Sequence, residues 1–128
     1  MNLWTYLRRT LLPQFNVGTL SWLAHRATGV ALALYLIPHF VSIHSAQGGP
    51  QALDTTLAGY RGPLFKAAEL LLIGVVAFHG FNGLRIVALD FFSVTGQQRL
   101  LFWLTLAATA CVLVAASFLF VPRILGPA

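Results

Sequence analysis

The chain has 128 residues, of which 58% are hydrophobic and 9% charged, against roughly 25% charged residues in soluble domains. So few charges cannot cover a water-facing surface, which excludes a soluble globular domain. The basic residues behind the net charge of +5 are scattered between apolar runs, which excludes a nucleic-acid-binding patch, and the single cysteine, Cys111, excludes a disulfide framework.

An N-terminal stretch, Leu3 to Leu12, carries Trp4, Tyr6, Arg8 and Arg9. It reads as a short interfacial helix, with aromatic rings at headgroup level and arginines in the polar zone, ended by Pro13. About 20 apolar residues in a helix cross the hydrocarbon of a bilayer. Three segments qualify, from about Leu20 to Ile43, Leu64 to Leu89 and Leu100 to Val121, and the last contains no charge. The connection from Ser45 to Pro63 is rich in Gly, Pro, Gln and Thr, and Gly48, Gly49 and Pro50 mark a turn. The connection from Phe91 to Gln98 is short. The expected fold is all-α: a transmembrane bundle of three spanning helices plus the interfacial helix, as one membrane domain over 1–128. Arg8, Arg9, Arg26, Arg85 and Arg99 fall on one side, and Arg61, Lys66 and Arg123 on the other. This bias predicts a cytoplasmic N-terminus and an outside C-terminus.

Ionisable side chains inside spanning helices are costly and are therefore functional candidates. His79 lies mid-way along the second span, with Gly83 one turn on along the same face. A neutral imidazole there suits heme or metal ligation, and an interhelical hydrogen bond is the plainer reading. Arg85 follows about 9 Å along the axis and Asp90 about 16 Å. Arg85 either snorkels to headgroups or pairs with a carboxylate. His25 and Arg26 open the first span among Ser21, Thr28 and Gly29, a cluster suited to an anionic or carbonyl-bearing group, or simply to an interfacial anchor. His39 follows His25 by fourteen residues and falls on nearly the same face, whereas His44 is turned away, so His39 is the better inward candidate.

The string from His79 through Gly83 and Arg85 to Asp90 resembles the H-x-x-x-G-[IL]-R-x-[LIVM]-x-x-D signature of the cytochrome b membrane anchor of succinate dehydrogenase (complex II). The string Ser21-Trp22-Leu-Ala-His25-Arg26-Ala-Thr28-Gly29 is similar to that family's S-x-x-x-H-R-x-[ST]-G signature. Together with the three spans, the resemblance covers most of the chain. It implies His79 as an axial ligand of heme b iron, His25 and Arg85 at the heme propionates, and Ser21, Trp22 and Arg26 at a quinone. It also implies a flavoprotein, an iron–sulfur protein and a second small anchor as partners, with succinate oxidised on those partners and electrons conducted to quinone here. His39, late in the first span, fits members with two hemes, where it would hold the outer heme and His79 the inner one; menaquinone is the quinone expected for that type. One heme held by both histidines is the alternative. Two positions depart from the pattern. Ile86 stands where many members have histidine. Trp22 stands where many have serine, and Ser21 is one residue earlier. A fumarate-reducing anchor, a heme-free structural anchor and, more weakly, a proton-coupled transporter are the competing readings.

Overall fold

The computed structural model describes residues 2–5, 16–92 and 95–125. Residues 3–5 are helical, and the remainder of the expected interfacial helix, 6–12, lies outside the described residues. Three long helices follow: α1 (Val17–Ser45), α3 (Pro63–Phe92) and α4 (Gln98–Leu125). Each is long and apolar enough to cross a membrane. The helical ends lie one to four residues outside the apolar runs. Asn16 caps α1, its Oδ1 accepting from Thr19 N at 2.9 Å.

The first connection is more ordered than the composition suggests. A 3₁₀ turn (Ala46–Gly48) leads to Gly49 at φ 91°, a left-handed conformation that a side chain would strain. Pro50 then occupies the first turn of a short helix, α2 (Pro50–Ala58), where its missing N–H costs nothing. The expected turn is present, and the residues read as loop beyond it form α2. Ser42 and Tyr60, 2.9 Å apart, tie the end of α1 to the segment after α2. The second connection holds one 3₁₀ turn, Thr95–Gln97.

Helix α3 is the centre of the bundle. It packs most extensively on α4 and next on α1, while α1 and α4 touch little. Among the described residues no hydrophobic side chain is buried. The buried positions are Ser21, Gly74, Asn82, Arg85, Thr105 and Thr109, and the large apolar side chains face outward. This is the arrangement that lipid selects: small and polar groups between helices, hydrocarbon outside. Thr105 and Thr109 turn their hydroxyls back onto Leu101 and Thr105 carbonyls, so they sit in the seam without needing a partner from α3. Gly74 admits Leu113 of α4, whose Cδ2 would lie 3.0 Å from a Cβ at that position.

We expect Gly74→Val to push α3 and α4 apart and to cost about 1–3 kcal/mol, read as a lower melting temperature of the detergent-solubilised protein. Adding Leu113→Ala should restore part of that loss, and strictly additive losses would mean the two positions are not in contact.

Candidate functional site

The site is a ladder of polar rungs between the start of α1 and the second half of α3. The two helices run antiparallel, so successive turns of one meet successive turns of the other in reverse order.

The first rung joins three helices. Arg85 Nη1 donates to Ser21 Oγ at 2.9 Å and to Asn82 Oδ1 at 3.5 Å, and Nη2 donates to the Gln98 carbonyl at 3.3 Å. Asn82 is fully buried, and its Nδ2 donates to the Ser21 carbonyl at 3.4 Å. Ser21 Oγ itself donates to the Gly18 carbonyl at 3.1 Å, which leaves its lone pairs for Arg85. The guanidinium, 6% exposed, lies 5.8 Å from the Phe102 ring centroid. Its Nε is buried with no partner among the described residues. Arg85 therefore does not snorkel: it staples α1 and the start of α4 onto α3.

The second rung is a pair of histidines. The rings of His25 and His79 stack with centroids 4.0 Å apart and planes 9° from parallel. Each ring lies over the other helix's glycine. A Cβ on Gly29 would meet His79 Cε1 at 3.1 Å, and one on Gly83 would meet His25 Cε1 at 3.7 Å. The two His-x-x-x-Gly spacings are thus reciprocal sockets, and the space at Gly83 is filled by His25. Gly80 faces open space.

His79 has a defined tautomer. Its Nδ1 lies 3.2 Å from the His25 carbonyl and 3.1 Å from Thr28 Oγ1. The Thr28 hydroxyl already donates to the carbonyls of Ala24 (2.8 Å) or His25 (2.9 Å), so it accepts from His79. With two acceptors facing it, Nδ1 carries the proton and Nε2 carries the lone pair. A histidine held by Nδ1–H on a backbone carbonyl is the arrangement that orients imidazole for metal binding through Nε2. His25 Nδ1 is buried without a partner among the described residues. Two polar atoms in adjacent rungs, His25 Nδ1 and Arg85 Nε, are therefore left over.

Trp22 and Arg26 lie on a different face of α1 from Ser21. Arg26 Cζ stands 4.1 Å from the Trp22 ring centroid, and both side chains are exposed. The structure therefore pairs Trp22 with Arg26, and Ser21 with Arg85. Asp90 is exposed near the end of α3 and is not a partner of Arg85.

His39 is not part of the ladder. It is half-buried near the other end of α1, where its Nδ1 lies 3.2 Å from the Tyr35 hydroxyl and the ring lines a separate cavity of ≈ 290 Å³. His44 is exposed. The structure does not bring His39 and His79 together. Asn82 is the residue that sequence reasoning missed. Its signal was an amide in an apolar span three residues before Arg85, hence on the same face.

We expect Arg85→Met to leave the Ser21 hydroxyl, the Asn82 amide and the Gln98 carbonyl short of a donor, at a cost of about 1–3 kcal/mol, seen as earlier thermal unfolding. Arg85→Lys should recover only part of this, since one ammonium cannot span Ser21 and Gln98 as a fork does; full recovery would refute the three-helix staple.

A family model described as the succinate dehydrogenase/fumarate reductase transmembrane subunit matches residues 5–121. The chain is 33% identical over 88 residues to the succinate dehydrogenase 2 membrane subunit SdhC of Mycobacterium tuberculosis, covering 68% of this chain and 65% of that one. It is 29% identical over 104 residues to the succinate dehydrogenase hydrophobic membrane anchor subunit of Halobacterium salinarum, covering 80% of each. A like-named subunit of Archaeoglobus fulgidus is 35% identical over 71 residues, 56% of this chain and 61% of that one. The chain thus spans slightly less than two thirds of the mycobacterial and Archaeoglobus relatives and four fifths of the Halobacterium one.

Proposed function

The chain belongs to the succinate dehydrogenase/fumarate reductase transmembrane-subunit family, and from that premise we propose that it is the heme b-binding anchor of a succinate:quinone oxidoreductase. In this reading it tethers a flavoprotein and an iron–sulfur subunit to the membrane, pairs with a second small anchor, and forms part of the quinone site. The observation that carries the proposal is that Nδ1 of His79 faces two oxygen acceptors. Its Nδ1–H is bound to the His25 carbonyl and Thr28, and its Nε2 lone pair is available to iron.

Heme b, when bound, supplies a one-electron carrier. The chain's residues would hold it in three ways. His79 Nε2 would ligate the iron, with a further ligand expected from the second anchor. Gly29 leaves room for the His79 ring, which a Cβ would crowd. His25 Nδ1 and Arg85 Nε, the two unpartnered buried atoms, suit propionate oxygens. Because Nη1 and Nη2 of Arg85 are already committed within the chain, its contribution to a propionate is limited to Nε.

Quinone binding is assigned to Trp22 and Arg26, whose stacked side chains present a flat apolar face and a fixed hydrogen-bond donor. Arg26 would donate to a quinone carbonyl, stabilising the charge that builds there during reduction. Ser21 supports this site from behind by holding Arg85. Succinate chemistry belongs to the partners, and the same anchor would serve a fumarate reductase run in the opposite direction.

A second reading has an observation in its favour. His79 and Arg85 both make hydrogen bonds between helices, which is what a heme-free structural anchor requires. A second heme on His39 follows from the resemblance alone. Its Nδ1 meets only a hydroxyl on its own helix, so no carbonyl fixes the tautomer as in His79.

The purified complex should show a reduced-minus-oxidised heme b band that disappears in His79→Ala, and Gly29→Val should weaken or shift it. An unchanged spectrum in His79→Ala selects the heme-free anchor. The heme-to-protein ratio of His39→Ala decides between one heme and two. We further expect Arg26→Ala to lower quinone-dependent succinate oxidation by about tenfold or more while leaving turnover with a soluble dye unaffected; equal loss of both activities would place Arg26 in subunit docking instead.

A further inference from the structure

Thr28 stands where α1 reaches His79, one turn after Ala24. Its hydroxyl has one hydrogen and two lone pairs. The hydrogen turns back onto α1, to the Ala24 carbonyl at 2.8 Å or the His25 carbonyl at 2.9 Å. This back-bonding fixes the rotation of the hydroxyl and leaves its lone pairs for His79 Nδ1, 3.1 Å away on α3. The reverse assignment fails. A bare Nδ1 would set its lone pair against the His25 carbonyl oxygen at 3.2 Å, with no hydrogen between them.

The two acceptors facing Nδ1 differ in how free they are. Inside α1 the His25 carbonyl also receives the backbone N–H of Gly29, four residues on, which takes one of its lone pairs. Among the described residues the Thr28 oxygen accepts from His79 alone. Its own donation to a carbonyl polarises the hydroxyl and strengthens the bond that it accepts. Carbonyl, hydroxyl and imidazole thus form one chain of hydrogen bonds, running from the α1 backbone to the ring nitrogen that is not offered to iron.

An acceptor on Nδ1–H draws that proton away from the ring, makes Nε2 a stronger electron donor, and holds the ring plane. Electron donation to iron favours its ferric form and lowers its reduction potential. We infer that Thr28 is a positioning residue for a bound heme: acting through His79, its hydroxyl sets the plane of the ligand ring and lowers the potential of the iron. This role rests on the reading of His79 as the heme ligand, and it assigns to a side chain a part that the His25 backbone carbonyl cannot play alone.

The test is a redox titration of the purified, heme-loaded complex, with electron paramagnetic resonance of its ferric form, on Thr28→Ser, Thr28→Ala and Thr28→Val. Serine drops the methyl group and keeps the hydroxyl, so alanine against serine isolates the hydroxyl. Valine fills the space and keeps water from replacing it. Thr28→Ser should keep the wild-type potential and g-values. Thr28→Ala and Thr28→Val should raise the ferrous-to-ferric ratio at a fixed potential by up to about tenfold, or about 59 mV for one electron, and should move the ferric g-values as the ring plane turns. Heme content should hold, because the His25 carbonyl still faces Nδ1. If the valine variant does not assemble, the alanine variant decides. A potential and g-values equal to those of Thr28→Ser in the variants lacking the hydroxyl overturn the inference. So does a shift in Thr28→Ser as large as in Thr28→Ala, which gives the effect to the methyl group. A wild-type complex without heme, or a heme spectrum unchanged in His79→Ala, instead removes the reading of His79 beneath it.

Discussion

The bundle depends on where the Arg85 guanidinium is held. A charged side chain within the hydrocarbon costs about 2.5–3.5 kcal/mol by insertion scales. Here that cost is offset by acceptors drawn from three helices: Ser21 on α1, Asn82 on α3 itself, and the Gln98 carbonyl at the start of α4. The arginine thereby selects one register between α1 and α3 out of many that apolar surfaces would tolerate equally. Lipid gives no hydrophobic preference for one helix pairing over another, so the polar rung supplies the specificity that a buried apolar core supplies in water.

Once that register is set, the histidine rung follows without further adjustment. Placing Ser21 against Arg85 puts His25 beside Gly83 and Gly29 beside His79, because α1 climbs four residues at a time from Ser21 while α3 descends past Gly83 to His79 one turn below it. The carbonyl of His25 then meets His79 Nδ1. The tautomer of the candidate ligand is therefore a product of helix register, and the register is a product of Arg85. In such a ladder the structural contacts set the geometry that a cofactor role would use.

Much of this was legible in the sequence. The three spans follow from the lengths of the apolar runs, and His79, Gly83, Arg85, His25 and Gly29 stand out by polarity and spacing. Other features were hidden for identifiable reasons. Which residue a glycine accommodates depends on the facing helix, so the spacing of Gly83 from His79 did not reveal that it holds the His25 ring. Ser21 and Trp22 are neighbours in sequence but are separated by about 100° on the helix, which sends one inward to Arg85 and the other outward to Arg26. Asn82 drew no reading from the sequence because its role exists only when Ser21 is opposite. Helix α2 was concealed by turn-forming residues that begin it: Gly49 and Pro50 end one element and start the next.

The inside-out distribution of polarity also bears on how the chain is made. Helix α4 is apolar enough to enter the bilayer alone, whereas α3 carries Asn82 and Arg85, whose partners lie on α1 before it and at the first residue of α4 after it. An α3 released singly into lipid would keep only the 3.5 Å contact between Arg85 and Asn82. Biogenesis is therefore expected to retain α1 beside the insertion machinery until α3 arrives, and to complete the seam only as Gln98 emerges. The same ladder that orients a candidate heme ligand in the finished protein acts earlier as the signal that two helices have met and can leave for the lipid as a pair.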